Sequence, residues 1–209
     1  MRKSVLFILF AGLIFLAPLQ ARADLSYTMT NFQSLGQEYA SGQIAGTLTG
    51  DLNISPLYSF CVLDSANLYQ GQQYSATLAS ISSSDTGALE SAYLMTTYAP
   101  GNIALPNTTQ GVNQGVALQW AMWMALGQGS PITANGLNNA YPAIYSQAQT
   151  YLTDAQNASN LSQYAGMYQE LQLQGSQNLL FVATPLPASI LLFSPGLMVL
   201  AAARRRFQK

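Results

Sequence analysis

Two side chains carry the reactive potential of this chain. Cys61 is its single cysteine, and Gln119 places a carboxamide inside an apolar helical stripe, with Gly115 and Val116 one turn before it and Met122 and Trp123 one turn after. One thiol cannot build the even-numbered disulfide framework of exported proteins. Cys61 is therefore a small hydrophobe on the core face of its strand, with Leu57 and Leu63 as neighbours, half of an intermolecular disulfide, or a group with chemistry to do. Gln119 poses the same choice. Burying an unpaired amide costs on the order of a few kcal/mol, so it has either a partner, such as a backbone group of the adjoining loop, or a task.

Composition narrows the chemistry around this pair. The chain has no histidine, which removes Ser-His and Cys-His pairs and the ordinary His-based zinc site, so no metal or other cofactor is expected. All seven basic residues lie near the ends: Arg2, Lys3 and Arg22 at one, Arg204, Arg205, Arg206 and Lys209 at the other. Residues 24–183 between them hold all eight acids and no Lys or Arg, so a net charge of -1 conceals an acidic middle. Schiff-base chemistry and Lys-Asn isopeptide staples are excluded there, and nucleic acid is not an expected partner. Eight carboxylates leave a glycosidase pair conceivable, but their spacing in sequence gives no such pair, and the chain is not expected to be an enzyme. A surface solubilised by Gln, Asn, Ser, Thr and Tyr suits a matrix or carbohydrate-rich setting.

The elements that must position Cys61 and Gln119 change period along the chain. Leu25, Tyr27 and Met29 alternate with Ser26, Thr28 and Thr30, as in a half-buried strand. Further strands are expected over residues 43–54, 57–63 and 74–81; the third puts Leu57, Ser59, Cys61 and Leu63 on one face and Tyr58, Phe60 and Val62 on the other. Asp85 or Ser84 then caps a helix running to about Tyr98, and a second helix spans about 112–126 and stops at Gly127. Leu137, Tyr141, Ile144, Tyr145, Ala148, Tyr151, Leu152 and Ala155 follow helical spacing, with Pro142 in a first turn or dividing the segment. Residues 168–173 and 178–183 flank Gly175-Ser176 as a hairpin. The expected fold is α+β, with strands at both ends forming sandwich or barrel-like sheets and a helical segment between them.

The termini read as addresses. Arg2 and Lys3 precede an apolar run over 5–19, and Ala21-Arg22-Ala23 is a small-x-small cleavage site, so residues 1–23 are expected to be a signal peptide and 24–183 the exported domain. Over 184–209, Pro185-Leu186-Pro187-Ala188 precedes an apolar stretch and then Arg204, Arg205 and Arg206. That stretch is short against the about 20 residues a bilayer core requires, yet the basic cluster gives it a cytoplasmic end. This order resembles the PEP-CTERM sorting signal, in its Val-Pro-Leu-Pro-Ala variant with Thr184 in the valine place. The resemblance implies a C-terminal transmembrane helix, transient inner-membrane anchoring, an exosortase as processing partner, and release to the cell surface or biofilm matrix.

A second resemblance joins the two reactive residues. Phe60-Cys61-Val62 followed by Leu118-Gln119-Trp120-Ala121-Met122-Trp123 resembles the bacterial thioester domain, an adhesion module with an aromatic-Cys-apolar motif and a later apolar-Gln-x-apolar-apolar-Trp motif. The resemblance implies that Cys61 attacks the Gln119 carboxamide and expels ammonia, that Phe60, Trp120 and Trp123 shield the resulting bond, and that an amine on a surface target or matrix polysaccharide later takes up the acyl group. A thiolate is a good nucleophile, and proximity replaces the missing general base. The alternative is a non-covalent matrix protein whose Cys61 is buried or disulfide-linked to another chain.

Overall fold

The computed structural model describes residues 25–36, 39, 41–62, 67–100 and 103–182. The expected signal peptide and the sorting tail, with Pro185, Leu186, Pro187, Ala188, Arg204, Arg205, Arg206 and the transmembrane helix, lie outside the described residues. Among the described residues no helix is long and apolar enough to cross a membrane.

Six antiparallel strands close into a barrel. They are β1 (Leu25–Ser34), β2 (Ser41–Thr49), β3 (Ile54–Cys61), β4 (Gln73–Ser80), β5 (Tyr168–Leu173) and β6 (Leu179–Val182), ordered β1-β2-β3-β6-β5-β4 with β4 returning to β1. Between β4 and β5 the chain inserts helices α1 (Thr86–Tyr98), α2 (Thr109–Ala125), α3 (Ser130–Ala134), α4 (Leu137–Ala140) and α5 (Pro142–Gln156), then a short 3-10 turn (Leu161–Tyr164). The sheets at the two ends of the sequence are thus one closed sheet, which leaves no edge strand unpaired.

Period-two alternation fills the barrel. Leu25, Tyr27 and Met29 of β1, Ile44 and Leu48 of β2, Leu57, Ser59 and Cys61 of β3, and Leu179 and Phe181 of β6 are all buried, and the register sets them on the inner face. Gly46 faces the Tyr27 ring so closely that any Cβ there would collide with it. The outer face is also partly dry. Phe60, Leu180 and Tyr168 are buried on it, and the Tyr168 hydroxyl meets Thr96 Oγ1 of α1 at 2.8 Å, which marks where the helices cover the barrel.

Several expected boundaries move for local reasons. The strand expected over 43–54 stops at Thr49, because Gly50 takes φ 118° and turns the chain; β3 then begins at Ile54, not Leu57. α2 begins at Thr109, three residues ahead of the expected start, since the Thr108 side chain accepts the Gly111 N–H and caps it there. α1 is capped as expected, Asp85 accepting the Ala88 N–H. Pro142 divides the third helical pattern, α5 starting on it with Ile144, Ala148, Tyr151 and Ala155 buried. The 168–173 and 179–182 strands form the expected hairpin.

α2 is the central element. From Gly115 to Trp123 each residue is buried, so the helix is enclosed on all sides, packed against β1, β2, α1 and α5. A helix in that position meets the barrel and the helical layer together.

α1 also buries Glu90, whose carboxyl is pushed above its ordinary value of 4.5 by loss of water. A raised folded-state value contributes stability below the unfolded value and loses it as pH rises through the folded one. Glu90→Gln is therefore expected to raise the Tm near neutral pH and to flatten its decline as pH rises above the ordinary carboxyl range, as read by thermal melts from acid to neutral pH. A parallel pH profile for both proteins would show that Glu90 is not the titrating group.

Candidate functional site: a cysteine held by a glutamine

Cys61 ends β3. Antiparallel strands direct successive backbone groups to alternate sides. The Val62 N–H donates to Asn178 O beyond β6, so the N–H and C=O of Cys61 face the other way, towards β2. Ile44 pairs with Ser59 there, and continuing that register would set Gly42 opposite Cys61. No such pairing forms. β2 leans instead against α2, where Gly42 and Gly115 let backbone meet backbone: a Cβ on Gly42 would lie 2.7 Å from Gly115 C and 2.9 Å from Val116 N.

Gln119 fills the missing place. The Cys61 N–H donates to Gln119 Oε1 at 2.7 Å, and Gln119 Nε2 donates to the Cys61 carbonyl at 2.7 Å. The side-chain amide thus acts as one peptide unit of an absent strand, closing the ladder from the helix. Both residues are buried, Gln119 completely and Cys61 with 3% of its surface exposed. Residues 58 apart in sequence are held in one hydrogen-bonded ring.

The loop before α2 is fixed by two further glutamines. Gln43 Oε1 accepts the Leu105 N–H at 2.7 Å while its Nε2 donates to Ile103 O at 2.9 Å, and Gln33 Nε2 donates to Pro106 O at 3.3 Å. Strands β1 and β2 thereby set where α2 starts, and so the height at which Gln119 meets Cys61.

Around this ring the expected shielding residues take distinct places. Phe60 is fully buried on the outer barrel face beside Cys61. Trp120 is buried and its Nε1 donates to Tyr39 O at 2.7 Å. Trp123, one turn beyond Gln119, sets its ring edge-on to Tyr39 at 6.4 Å, while its own Nε1 is buried without a partner. Tyr39 itself holds φ 59°, a left-handed conformation for a residue with a side chain, and both tryptophans meet it.

Four further groups surround the thiol or its strand, of which strand period in the sequence already sets Ser59 on the Cys61 face. Tyr27 and Ser59 lie on the same inner face as Cys61; their hydroxyls interact, though neither reaches full hydrogen-bond geometry with any partner. Burial pushes the Tyr27 phenol up, Ser59 partly offsetting this and Cys61 adding to it. Burial likewise pushes the Cys61 thiol well above the ordinary thiol range, against a smaller opposing effect from Gln177, which lies at hydrogen-bond reach of it. Gln177, Tyr39 and Tyr27 carry no motif, and barrel closure brings them to Cys61, whereas strand alternation alone sets Ser59 there.

Cys61 also faces outwards along one route. A cavity of about 380 Å³ at this end of the barrel is lined by Met29, Phe32, Ile44, Leu68, Cys61 and Gln177, with Ser34, Ser41 and Asn67 among its polar wall. Leu63, expected as a neighbour of Cys61, lies outside the described residues. Among the described residues no group of His, Cys, Asp and Glu is arranged to hold a metal ion.

The fold and site define a class: a closed six-stranded barrel with a helical insertion, a cysteine at the end of a strand and a buried glutamine from the central helix beside it. The chain matches no family model and no curated protein. Among solved structures it is similar to the N-terminal thioester domain of fibronectin-binding protein SfbI from Streptococcus pyogenes, with a TM-score of 0.50 and 10% sequence identity over 80% of this chain and 97% of that one. The likeness is one of fold: this chain has a thioester-domain-like architecture.

Proposed function

We propose that this protein is an exported bacterial surface or biofilm-matrix protein that adheres covalently, through a thioester between Cys61 and Gln119. One observation carries the reading: the Gln119 carboxamide is clasped at 2.7 Å on both its oxygen and its nitrogen by the backbone of the chain's single cysteine. In this reading Cys61 Sγ attacks Gln119 Cδ, the C–N bond breaks, the thiol proton leaves with the amide nitrogen, and ammonia is released. The Cys61 N–H, already on Oε1, stabilises the negative charge that the oxygen gains in the tetrahedral intermediate. Because burial disfavours a free thiolate, the clasp supplies proximity in place of thiol ionisation. The fold likeness to a domain of an adhesin supports the same reading. Export through residues 1–23, exosortase processing at Pro185-Leu186-Pro187-Ala188, a transient inner-membrane anchor and an amine-bearing surface or matrix polysaccharide target complete it. Nucleic acid, cofactors and enzymatic turnover have no part in it.

A second reading has its own observation. The Gln119 amide completes a strand ladder, which is a sufficient structural task, and the thiol is kept neutral by burial. The protein is then a non-covalent matrix component. Intact mass separates the two. The domain over residues 24–183, purified without reductant or amines, is expected to be lighter than its composition by one ammonia, to gain methylamine as an adduct, and to have full mass as Cys61→Ala. Full mass in the wild type, with Cys61 slow to alkylate until the protein unfolds, would leave the structural reading in place.

A further inference from the structure

We infer that a groove on the outer barrel wall, between β2 and the loop that leads into α2, is a non-covalent binding site for one hexopyranose unit of a glycan. The inference goes beyond the thioester reading and does not need that bond to form. The groove holds about 220 Å³, room for a single sugar ring, and Asn31, Phe32, Ala45, Tyr58, Leu105 and Asn107 stand in its wall.

Strand pairing builds the floor. Asn31, Ala45 and Tyr58 form one outward-facing row across β1, β2 and β3, and a small residue between two larger ones leaves a trough over the Ala45 methyl. A β-bulge makes the row. Met29 pairs with Gly46 and Asn31 with Ala45, so the extra residue Thr30 gives Asn31 the outward place that strict alternation would give Thr30 itself. The facing wall is the 104–107 segment, and the glutamine bonds from Gln43 to Leu105 and Ile103 and from Gln33 to Pro106 hold it from the barrel side. The groove is thus formed before any ligand arrives.

The chemistry of the wall selects the ligand class. Asn31 Oδ1 accepts the Phe32 N–H at 2.8 Å, which leaves Nδ2 as an open donor, and among the described residues the Asn107 carboxamide has no partner. A carboxamide offers a donor and an acceptor in one plane, and adjacent sugar hydroxyls, each donor and acceptor in turn, match that pair. A pyranose also carries C–H groups on its ring faces. Ala45, Leu105 and the Tyr58 and Phe32 rings present apolar surface that can cover one of them. A polypeptide fits less well, because it docks on a sheet by adding a strand to a free edge and the closed barrel has none.

The test titrates the purified protein with the methyl glycosides of glucose, galactose, mannose and N-acetylglucosamine, both anomers of each, and reads saturation transfer to the sugar C–H protons. At least one is expected to bind with a Kd of about 1 mM, the strength that a ligand of this size reaches. Asn107→Ala, at an exposed loop position, is expected to weaken that binding about fivefold by removing one hydrogen-bonding group. Ala45→Phe fills the trough from a half-buried outward position where an aromatic suits a strand, and is expected to weaken it at least about tenfold. Absence of transfer to every glycoside at about 20 mM overturns the site. Binding that either variant leaves unchanged also overturns it, since the sugar then sits elsewhere. A Ser-Gly-Asn hexapeptide added as competitor is expected to leave the sugar signal intact; displacement at equal concentration would replace the glycan with a polypeptide ligand.

Discussion

Gln119→Ala is expected to destabilise the domain, relative to wild type with the Gln119 carboxamide intact, by roughly 4 kcal/mol, which is a large share of the about 5–15 kcal/mol available to a protein of this kind. Two separate losses make up this figure. The Cys61 N–H and C=O lose their partners inside a dry site, at about 1–3 kcal/mol for each orphaned group. The truncated side chain also leaves a void against a fully buried helix, where collapse is limited. Urea denaturation should show the midpoint falling with little change in slope. Gln119→Glu separates the two losses, since it keeps the volume but has no donor for the Cys61 carbonyl when ionised. It should cost at least as much near neutral pH and recover part of the loss in acid, where the protonated carboxyl donates again. A loss below about 1 kcal/mol for Gln119→Ala would mean that water or a neighbour takes over both backbone groups.

Gly42→Ala is the second large effect, and it acts at a distance. The added methyl would meet the backbone of Gly115 and Val116, at 2.7 and 2.9 Å, and backbone cannot swing aside as a side-chain tip can. Either β2 or α2 must move. Overpacking of this kind costs about 1–3 kcal/mol. Gln119 sits one turn beyond Gly115, so a shift of α2 lengthens both of its 2.7 Å bonds to Cys61. The specific readout is hydrogen exchange at the Cys61 amide, expected to accelerate more than that of Val62, whose N–H is held by Asn178 on the other side. Equal acceleration at both amides would point to general loosening and not to a displaced helix.

Neither prediction follows from the sequence, although much of the fold does. The strand alternation through Leu25, Tyr27 and Met29, the Asp85 cap, the helical spacing through Ala155 and the turn at Gly175-Ser176 are local patterns. They rest on side-chain direction and backbone conformation within a few residues, and each matches the structure. The end of β2 before Gly50 and the start of α2 at Thr109 differ from the expected bounds because turn and cap geometry compete with a continuous polar pattern.

The candidate site divides in the same way. The sequence by itself identified a lone thiol, an amide out of place in an apolar stripe, two flanking tryptophans and an acidic middle free of Lys and Arg, because residue type and helical or strand period are written into it. Only the tertiary structure decided that the partner of the amide is the cysteine's own backbone and not the adjoining loop, that Tyr27 and Gln177 approach the thiol, and that a cavity opens onto it. These depend on barrel closure and on the glycine contact that draws α2 against β2. Contacts between residues 58 apart are fixed by how whole elements pack, and no local pattern in either segment encodes that packing.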